Sequence, residues 1–274
     1  ITTPNTLHYP MAEACLEAGK HVVIEKPFVP RSAEADALIS LAGRRGKKIF
    51  VYQNRRWDGD FLTIRKLMQQ NRLGEIEYYE ARFDRFSPEL KPGAWRDENI
   101  PGGGILYDLG AHLIDQALCL FGMPQSVKAE LKAERPGSPV DDFFRLEMQY
   151  AGLEAVLTAG MMVTEAVPRF TVKGSKGTYT KYGIDPQEGA LKKGEMPVGE
   201  DWGTEDRLFH GKLGPESIPT EKGNYMAFYN NVYEVIRENK TEAIAPVEAR
   251  NVIFIIEKAI ESNASGKKIE IRQR

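Results

Sequence analysis

The stretch GKHVVIEKPFVPRSAEADALISLAGRRGKKIFVYQN, residues 19–54, places two short runs rich in β-branched and aromatic residues, HVVIEK (21–26) and KIFVYQN (48–54), on either side of a helical pattern from Ser32 to Arg45. Apolar runs without alternation belong to strands covered on both faces, as in parallel sheets. Upstream, a second helical pattern runs from about Leu7 to Ala18 and stops at Gly19, a residue suited to closing a helix. Residues 1–54 therefore read as αβαβ, the end of a doubly wound α/β domain. Ligands of such domains lie beyond the carboxyl ends of the strands, where Glu25, Lys26, Gln53 and Asn54 stand.

Past residue 54 the pattern changes. DFLTIRKLMQQ (60–70) reads as a helix leading away, and from residue 75 the period becomes two: EIEYYEARF, SVKAELKAE, DFFRLEMQY, LEAVLTAG and RFTVKGSKGTYTKY. Four or five consecutive antiparallel strands with one helix against a face form an α+β layer, so residues 55–274 read as a second domain with a mostly antiparallel sheet. The span from Gly183 to Gly223 reads as a long loop. Two helices follow, NYMAFYNNVYEVIREN and PVEARNVIFIIEKAIESN, the second with Pro246 in its first turn, and KKIEIR can add a last strand.

The composition excludes several classes of function. The chain has 274 residues, 42% hydrophobic and 28% charged, with a formal net charge of −2 and no basic block, which argues against a nucleic-acid partner. No apolar run approaches the ~20 residues of a membrane helix. Cys15 and Cys119 each lie in an amphipathic helical pattern and read as buried thiols of a reducing, cytoplasmic compartment. The four histidines show no zinc spacing, so no metal is expected. The chain opens on ITTPN, with neither an initiating Met nor a signal sequence, and reads as part of something longer.

GGGILYDLGAHLIDQ, residues 102–116, carries the chemistry. At about 100° per residue, with Asp108 at zero, His112 falls near 40° and Asp115 near −20°, opposite an apolar side of Leu109, Leu113, Ala117, Leu120 and Phe121. Three glycines ahead of the helix allow its backbone to approach another body closely. The stripe is either a wet amphipathic face or the wall of a cleft. A glycine-rich phosphate fingerprint is absent: GGGILY has Tyr107 at its last position, and GSKG (174–177) lies between strands.

Two stretches in order, TPNTLHYPMAEACLEAGKHVVIEKPF (3–28) with its Glu-Lys-Pro signature and the Asp-x-x-x-His-x-x-Asp helix at 108–115, resemble the glucose–fructose oxidoreductase and inositol dehydrogenase family. QNRRWDGDFLTI, FGMP, KYGIDPQE and GNYMAFY narrow the likeness to its NADP-dependent, inositol-oxidising bacterial branch, and the resemblance covers essentially all 274 residues. It implies a Rossmann-domain remnant (1–54) and a dihydrodipicolinate-reductase-like substrate and oligomerisation domain (55–274). Roughly 70 upstream residues bearing the glycine fingerprint would be lacking, and turnover is not expected without them.

The resemblance implies oxidation of a polyol or sugar hydroxyl, with scyllo-inositol foremost, by NADP or NAD; NADP is favoured, although the segment that discriminates lies outside the chain. His112 would be the proton acceptor, held neutral by the positive end of its helix. Lys26 would hydrogen-bond the reacting hydroxyl, with the Lys26–Pro27 bond a candidate cis peptide, and Asp108 would bind a substrate hydroxyl and orient the base. Asp115 would touch a neighbouring hydroxyl or support His112 from behind; Arg96 would reach a hydroxyl or form a surface ion pair. Asn5, His8, Glu25, Lys26, Gln53 and Asn54 would approach the nicotinamide and its ribose. A homodimer or larger assembly would form through the open sheet face, which would otherwise expose apolar residues. The competing readings are a ligand sensor of the same fold and a metal-dependent hydrolase using Asp108, His112 and Asp115.

Overall fold

The computed structural model describes residues 1–91, 93–196, 206–211 and 214–272. Its first layer holds α1 (His8–Glu17), β1 (Val22–Ile24), α2 (Ser32–Arg45) and β2 (Ile49–Val51), with the two strands parallel and Val22, Val23 and Ile24 opposite Ile49, Phe50 and Val51. Side chains alternate across the strands. Val22, Ile24, Ile49 and Val51 join the main core, while Phe50 packs with Phe228, Val235 and Ile244 of the C-terminal region. A two-stranded sheet is marginal alone. Here α6 (Met226–Glu238) returns to cover its second face through the cluster of Phe50, Val23 and Tyr52, and α7 (Pro246–Ser265) contacts α2 and β2 on the other.

After α3 (Gly59–Gln69), the second layer is one nine-stranded sheet. Its strands are β3 (Ile76–Asp84), β4 (Ser126–Lys132), β5 (Phe143–Tyr150), β6 (Leu153–Gly160), β7 (Phe170–Gly174), β8 (Gly177–Lys181), β9 (Asp206–Gly211), β10 (Gly214–Pro219) and β11 (Ile269–Glu270). The order is β10-β9-β8-β7-β3-β6-β5-β4-β11, antiparallel except where β3 lies parallel to β6. The strands are therefore not a simple consecutive meander: β3 inserts between β6 and β7, and the chain reaches β6 only after crossing through α4 (Ala111–Phe121), β4 and β5. The span read as a long loop after Gly183 contains a short helix, α5 (Gln187–Lys192), and the β9–β10 hairpin that extends the sheet.

One sheet face, with Tyr79, Ala81, Phe83, Phe144, Leu146 and Leu157 fully buried, packs under α4 and α7. The other face does not match the expected exposed apolar surface. It carries Glu80, Arg82, Asp84, Arg145 and Glu147, tied into ion pairs at 2.7 Å (Arg82–Asp84), 3.4 Å (Arg82–Glu80) and 3.1 Å (Arg145–Glu147). Among the described residues no helix is long and apolar enough to cross a membrane. Cys15 and Cys119 are free thiols.

Candidate active site

The glycines before α4 allow the two layers to meet. Gly102 has φ +82°, and a Cβ there would stand 2.9 Å from Cβ and Nδ2 of Asn5; the Asn5 amide instead donates to the Gly102 carbonyl at 2.8 Å. Gly104, at φ +88°, lies so close to the Asp141 carboxylate that any side chain would collide with it. Asp141, on the segment between β4 and β5, in turn accepts the Leu106 amide at 2.8 Å and receives the Ile105 amide on its carbonyl at 2.9 Å, which anchors the start of the helical segment. That segment departs from the helical wheel used above. Leu106–Gly110 is a π turn and the α-helix begins only at Ala111, so Asp108 precedes a change of helical pitch.

A cavity of about 1180 Å³ lies where the carboxyl end of β1 faces this segment, and Asn5, Glu25, Lys26, Asn54, Asp108 and His112 all line it. The Lys26–Pro27 peptide is cis. Lys26 Nζ donates to Asp108 Oδ1 at 2.9 Å and to the Asp108 carbonyl at 2.7 Å, and Arg96 Nε donates to the same Oδ1 at 3.1 Å. Burial pushes the Asp108 carboxyl up, but Lys26 and Arg96 together outweigh it and hold it down at about 2. An ammonium has three protons. With two committed to Asp108, one is left for a substrate oxygen.

His112 is 5% exposed, and its Nδ1 is buried without a hydrogen-bond partner. Burial first, then the charges of Lys26, Arg55, Arg169 and Arg85, hold the imidazole well below its ordinary range. It is neutral at pH 7, as expected from the helix end, but burial and four side-chain cations account for this. No hydrogen bond joins it to Asp108 among the described residues, so Asp108 does not orient the ring through such a contact.

Several candidates sit elsewhere. Asp115 is 2% exposed and lies outside the cavity wall, gripped by Arg56 through Nε (2.8 Å) and Nη2 (2.7 Å); this bidentate pair turns it away from any substrate. His8 is fully buried behind the cavity, with Nδ1 2.9 Å from the Pro27 carbonyl and Nε2 3.0 Å from that of Thr3, so it braces the chain around Lys26 rather than approaching a cofactor. Gln53 is 1% exposed and also absent from the cavity wall, its amide atoms without partners. Glu25 faces the cavity; burial raises its carboxyl, against the pull of Lys26. Arg96 forms the ion pair with Asp108 while lining the cavity.

Sequence reasoning missed Arg55, Arg85, Glu188 and Tyr225, which also line the cavity. Arg55 forms ion pairs with Asp58 (3.2 Å) and with Glu188 of α5, and the Tyr225 hydroxyl donates to Asp58 at 2.6 Å. The one available signal was the arginine pair of QNRRW beside an aromatic, since both prove buried, at 4% and 6% exposure. Among the described residues no three His, Cys, Asp or Glu side chains group closely enough to hold a metal.

Residues 1–53 match the oxidoreductase family's NAD-binding Rossmann fold, and residues 65–271 match its C-terminal alpha/beta domain. The chain is 41% identical over 277 residues to scyllo-inositol 2-dehydrogenase (NADP(+)) IolW of Bacillus subtilis, spanning 98% of this chain and 77% of that protein. Among solved structures, the Bacillus subtilis protein yvaA superposes with a TM-score of 0.94 at 38% identity, over 98% of this chain and 79% of its own. An oxidoreductase of Bacillus cereus superposes with a TM-score of 0.88 at 31% identity, over 99% and 82%. A Rossmann-type layer, a mostly antiparallel C-terminal sheet and relatives matched over nearly the whole chain agree: this chain belongs to the Gfo/Idh/MocA family of oxidoreductases.

Proposed function

We propose that the protein oxidises a hydroxyl of a polyol or sugar, with an inositol, scyllo-inositol first, as the substrate and NADP preferred to NAD. The observation that carries this reading is one cavity wall bearing a lysine proton donor, a neutral buried imidazole and a carboxylate fixed between two cations. IolW acts on scyllo-inositol with NADP by its name, and its 41% identity supports the same choice here. The cavity volume suits a nicotinamide riboside end together with a six-carbon substrate. The unpartnered cavity-wall imidazole and the neighbouring Asn5, Glu25 and Asn54 fit such an occupant.

When bound, the nicotinamide supplies the acceptor for the hydride leaving the carbinol carbon. Lys26 directs its third proton at the hydroxyl oxygen and fixes the reacting carbon in place. The hydroxyl becomes strongly acidic as the hydride leaves, so even a weak neutral base suffices, and His112 takes its proton. Asp108 keeps the lysine aimed, and its second carboxylate oxygen is available to a neighbouring substrate hydroxyl. Asp115 acts only by fixing Arg56 behind the helix.

We also assign the protein to the cytoplasm, consistent with its two free thiols, and a homo-oligomer to the charged open face of the sheet, where its ion-pair rows can meet those of a second copy. Nicotinamide reduction by the full-length protein with scyllo-inositol, myo-inositol and glucose, each with NADP and NAD, tests the proposal. Turnover with an inositol that is lost in both His112→Ala and Lys26→Ala supports it; nucleotide binding without turnover on any of the three refutes the substrate. Light scattering that gives a monomer removes the oligomer.

A further inference from the structure

The ring of Phe83, buried on the covered face of β3, lies 6.4 Å from the His112 imidazole between centroids. Two guanidinium groups sit over that same ring, Arg169 at 3.9 Å and Arg55 at 4.7 Å. Both arginines are nearly inaccessible, at 3% and 4% exposure. Gln116, one turn beyond His112 on α4, pins them: its Nε2 donates to the Arg55 carbonyl at 2.9 Å, and its Oε1 accepts from Arg169 Nη2 at 3.2 Å. Arg55 is paired with Asp58 and Glu188, whereas Arg169 is held by the Arg82 carbonyl at 3.1 Å and by Gln116. A buried cation held by neutral oxygens is costly, and one packed beside a base with an unpartnered nitrogen calls for a reason.

We infer that Arg55 and Arg169, stacked on Phe83 and pinned by Gln116, are positioning residues that keep His112 free of a proton and so ready to accept one from the substrate. The inference rests on the reading of His112 as the proton acceptor. The charged groups around the imidazole come from every element packed against it. Lys26 comes from the end of β1, Arg85 from the end of β3, Arg55 from the turn after β2, Arg169 from the entry to β7, and Asp108 from the turn before α4. Asp108 is committed to Lys26 and Arg96, Asp58 to Arg55 and Tyr225, Glu188 of α5 to Arg55, Glu25 lies beside Lys26 on the cavity wall, and Asp60 lies on the Arg169 and Lys181 side. The field left at the imidazole is positive, and an imidazolium there is disfavoured. A cation–π platform supplies that field without giving the ring a hydrogen-bond partner, so Nδ1 stays unpartnered.

The shared ring places the Arg169 charge no more than about 10 Å from the imidazole. At an effective dielectric of about 20, a unit charge at that range moves a titration midpoint by about one pH unit. The test is an NMR titration of the histidine side chains in the protein itself, with the His112 resonance identified by its loss in His112→Gln. Arg169→Gln and Arg55→Gln should each raise the His112 midpoint by about half to one pH unit, while Arg169→Lys should hold it within about 0.2. Arg55, at the cavity wall, gives the second variant if the deeper Arg169→Gln does not fold. An unchanged midpoint in a folded glutamine variant, or Arg169→Lys shifting as far as Arg169→Gln, overturns the inference. The titration needs no cofactor, so failure to find a dehydrogenase substrate and failure of this assignment are separate results.

Discussion

Replacing Lys26 by methionine keeps most of the side-chain volume and removes the ammonium that fixes Asp108. In the folded protein the pair is 2.9 Å apart, with side chains 13% and 22% exposed. The Asp108 carboxyl, raised by burial, is brought from 3.8 down to about 2 by Lys26 first and Arg96 second. That displacement is worth about 2 kcal/mol to the ionised form. Arg96 is 52% exposed, so its share is screened by water and salt, and most of the effect belongs to Lys26. Lys26→Met also loses the hydrogen bond to the Asp108 carbonyl, adding about 1 kcal/mol, so the single substitution should cost about 2–4 kcal/mol. The decisive quantity is the coupling with Asp108→Asn, because asparagine leaves that backbone carbonyl in place. Urea unfolding of the four proteins at pH 7 should give a coupling of about 1.5–2 kcal/mol. A coupling below about 0.5 kcal/mol with all four proteins folded would show that the pair is no stronger than a surface ion pair, and the idea of an aimed lysine would go with it.

Three further outcomes follow from the same geometry. His112 titrates below its unfolded value of 6.5, so its contribution to stability is full above 6.5 and lost as pH falls toward the folded value, by up to ~1.4 kcal/mol per pH unit. Burial raises Glu25, Asp58 and Asp141 and gives the opposite slope; the effect should therefore be read as the difference between wild type and His112→Gln, which must shift toward the variant between pH 7 and 5 in urea unfolding. Asp115→Leu leaves the buried Arg56 with the half-exposed Glu248 at 3.2 Å as its one remaining ion pair among the described residues and should cost about 3–5 kcal/mol in chemical denaturation, whereas Arg56→Met combined with Asp115→Leu should recover most of it. Gly104→Ala must adopt φ +88° with its methyl in the Asp141 carboxylate; a loss of about 1–3 kcal/mol in thermal or urea unfolding is expected, and a neutral result would mean that the segment moves freely.

What the sequence disclosed and what it withheld divide by the distance to each residue's partners. The apolar runs Val22–Ile24 and Ile49–Val51 announce a covered parallel sheet because both of their faces are buried, and Ser32–Arg45 shows its helix in a local period. The insertion of β3 between β6 and β7 is invisible, since Tyr78 meets Glu154 only after a crossing of more than seventy residues that no local pattern encodes. The same rule governs the site. Lys26, Asp108 and His112 could be named from two motifs, yet the wheel that put Asp115 beside them took no account of Arg56, 59 residues away, which claims that carboxylate. The resemblance sets His8 near the nicotinamide, but three carbonyls from Thr3, Pro27 and Phe28 surround it. Arg55 stands three residues from Asp58, but Glu188 and the ring of Phe83 meet it only in the fold. Burial of charge is the physical term a linear reading lacks: an ionisable side chain kept from water must find a partner, and those partners, more than the catalytic types themselves, decide whether a residue does chemistry or holds the residue that does.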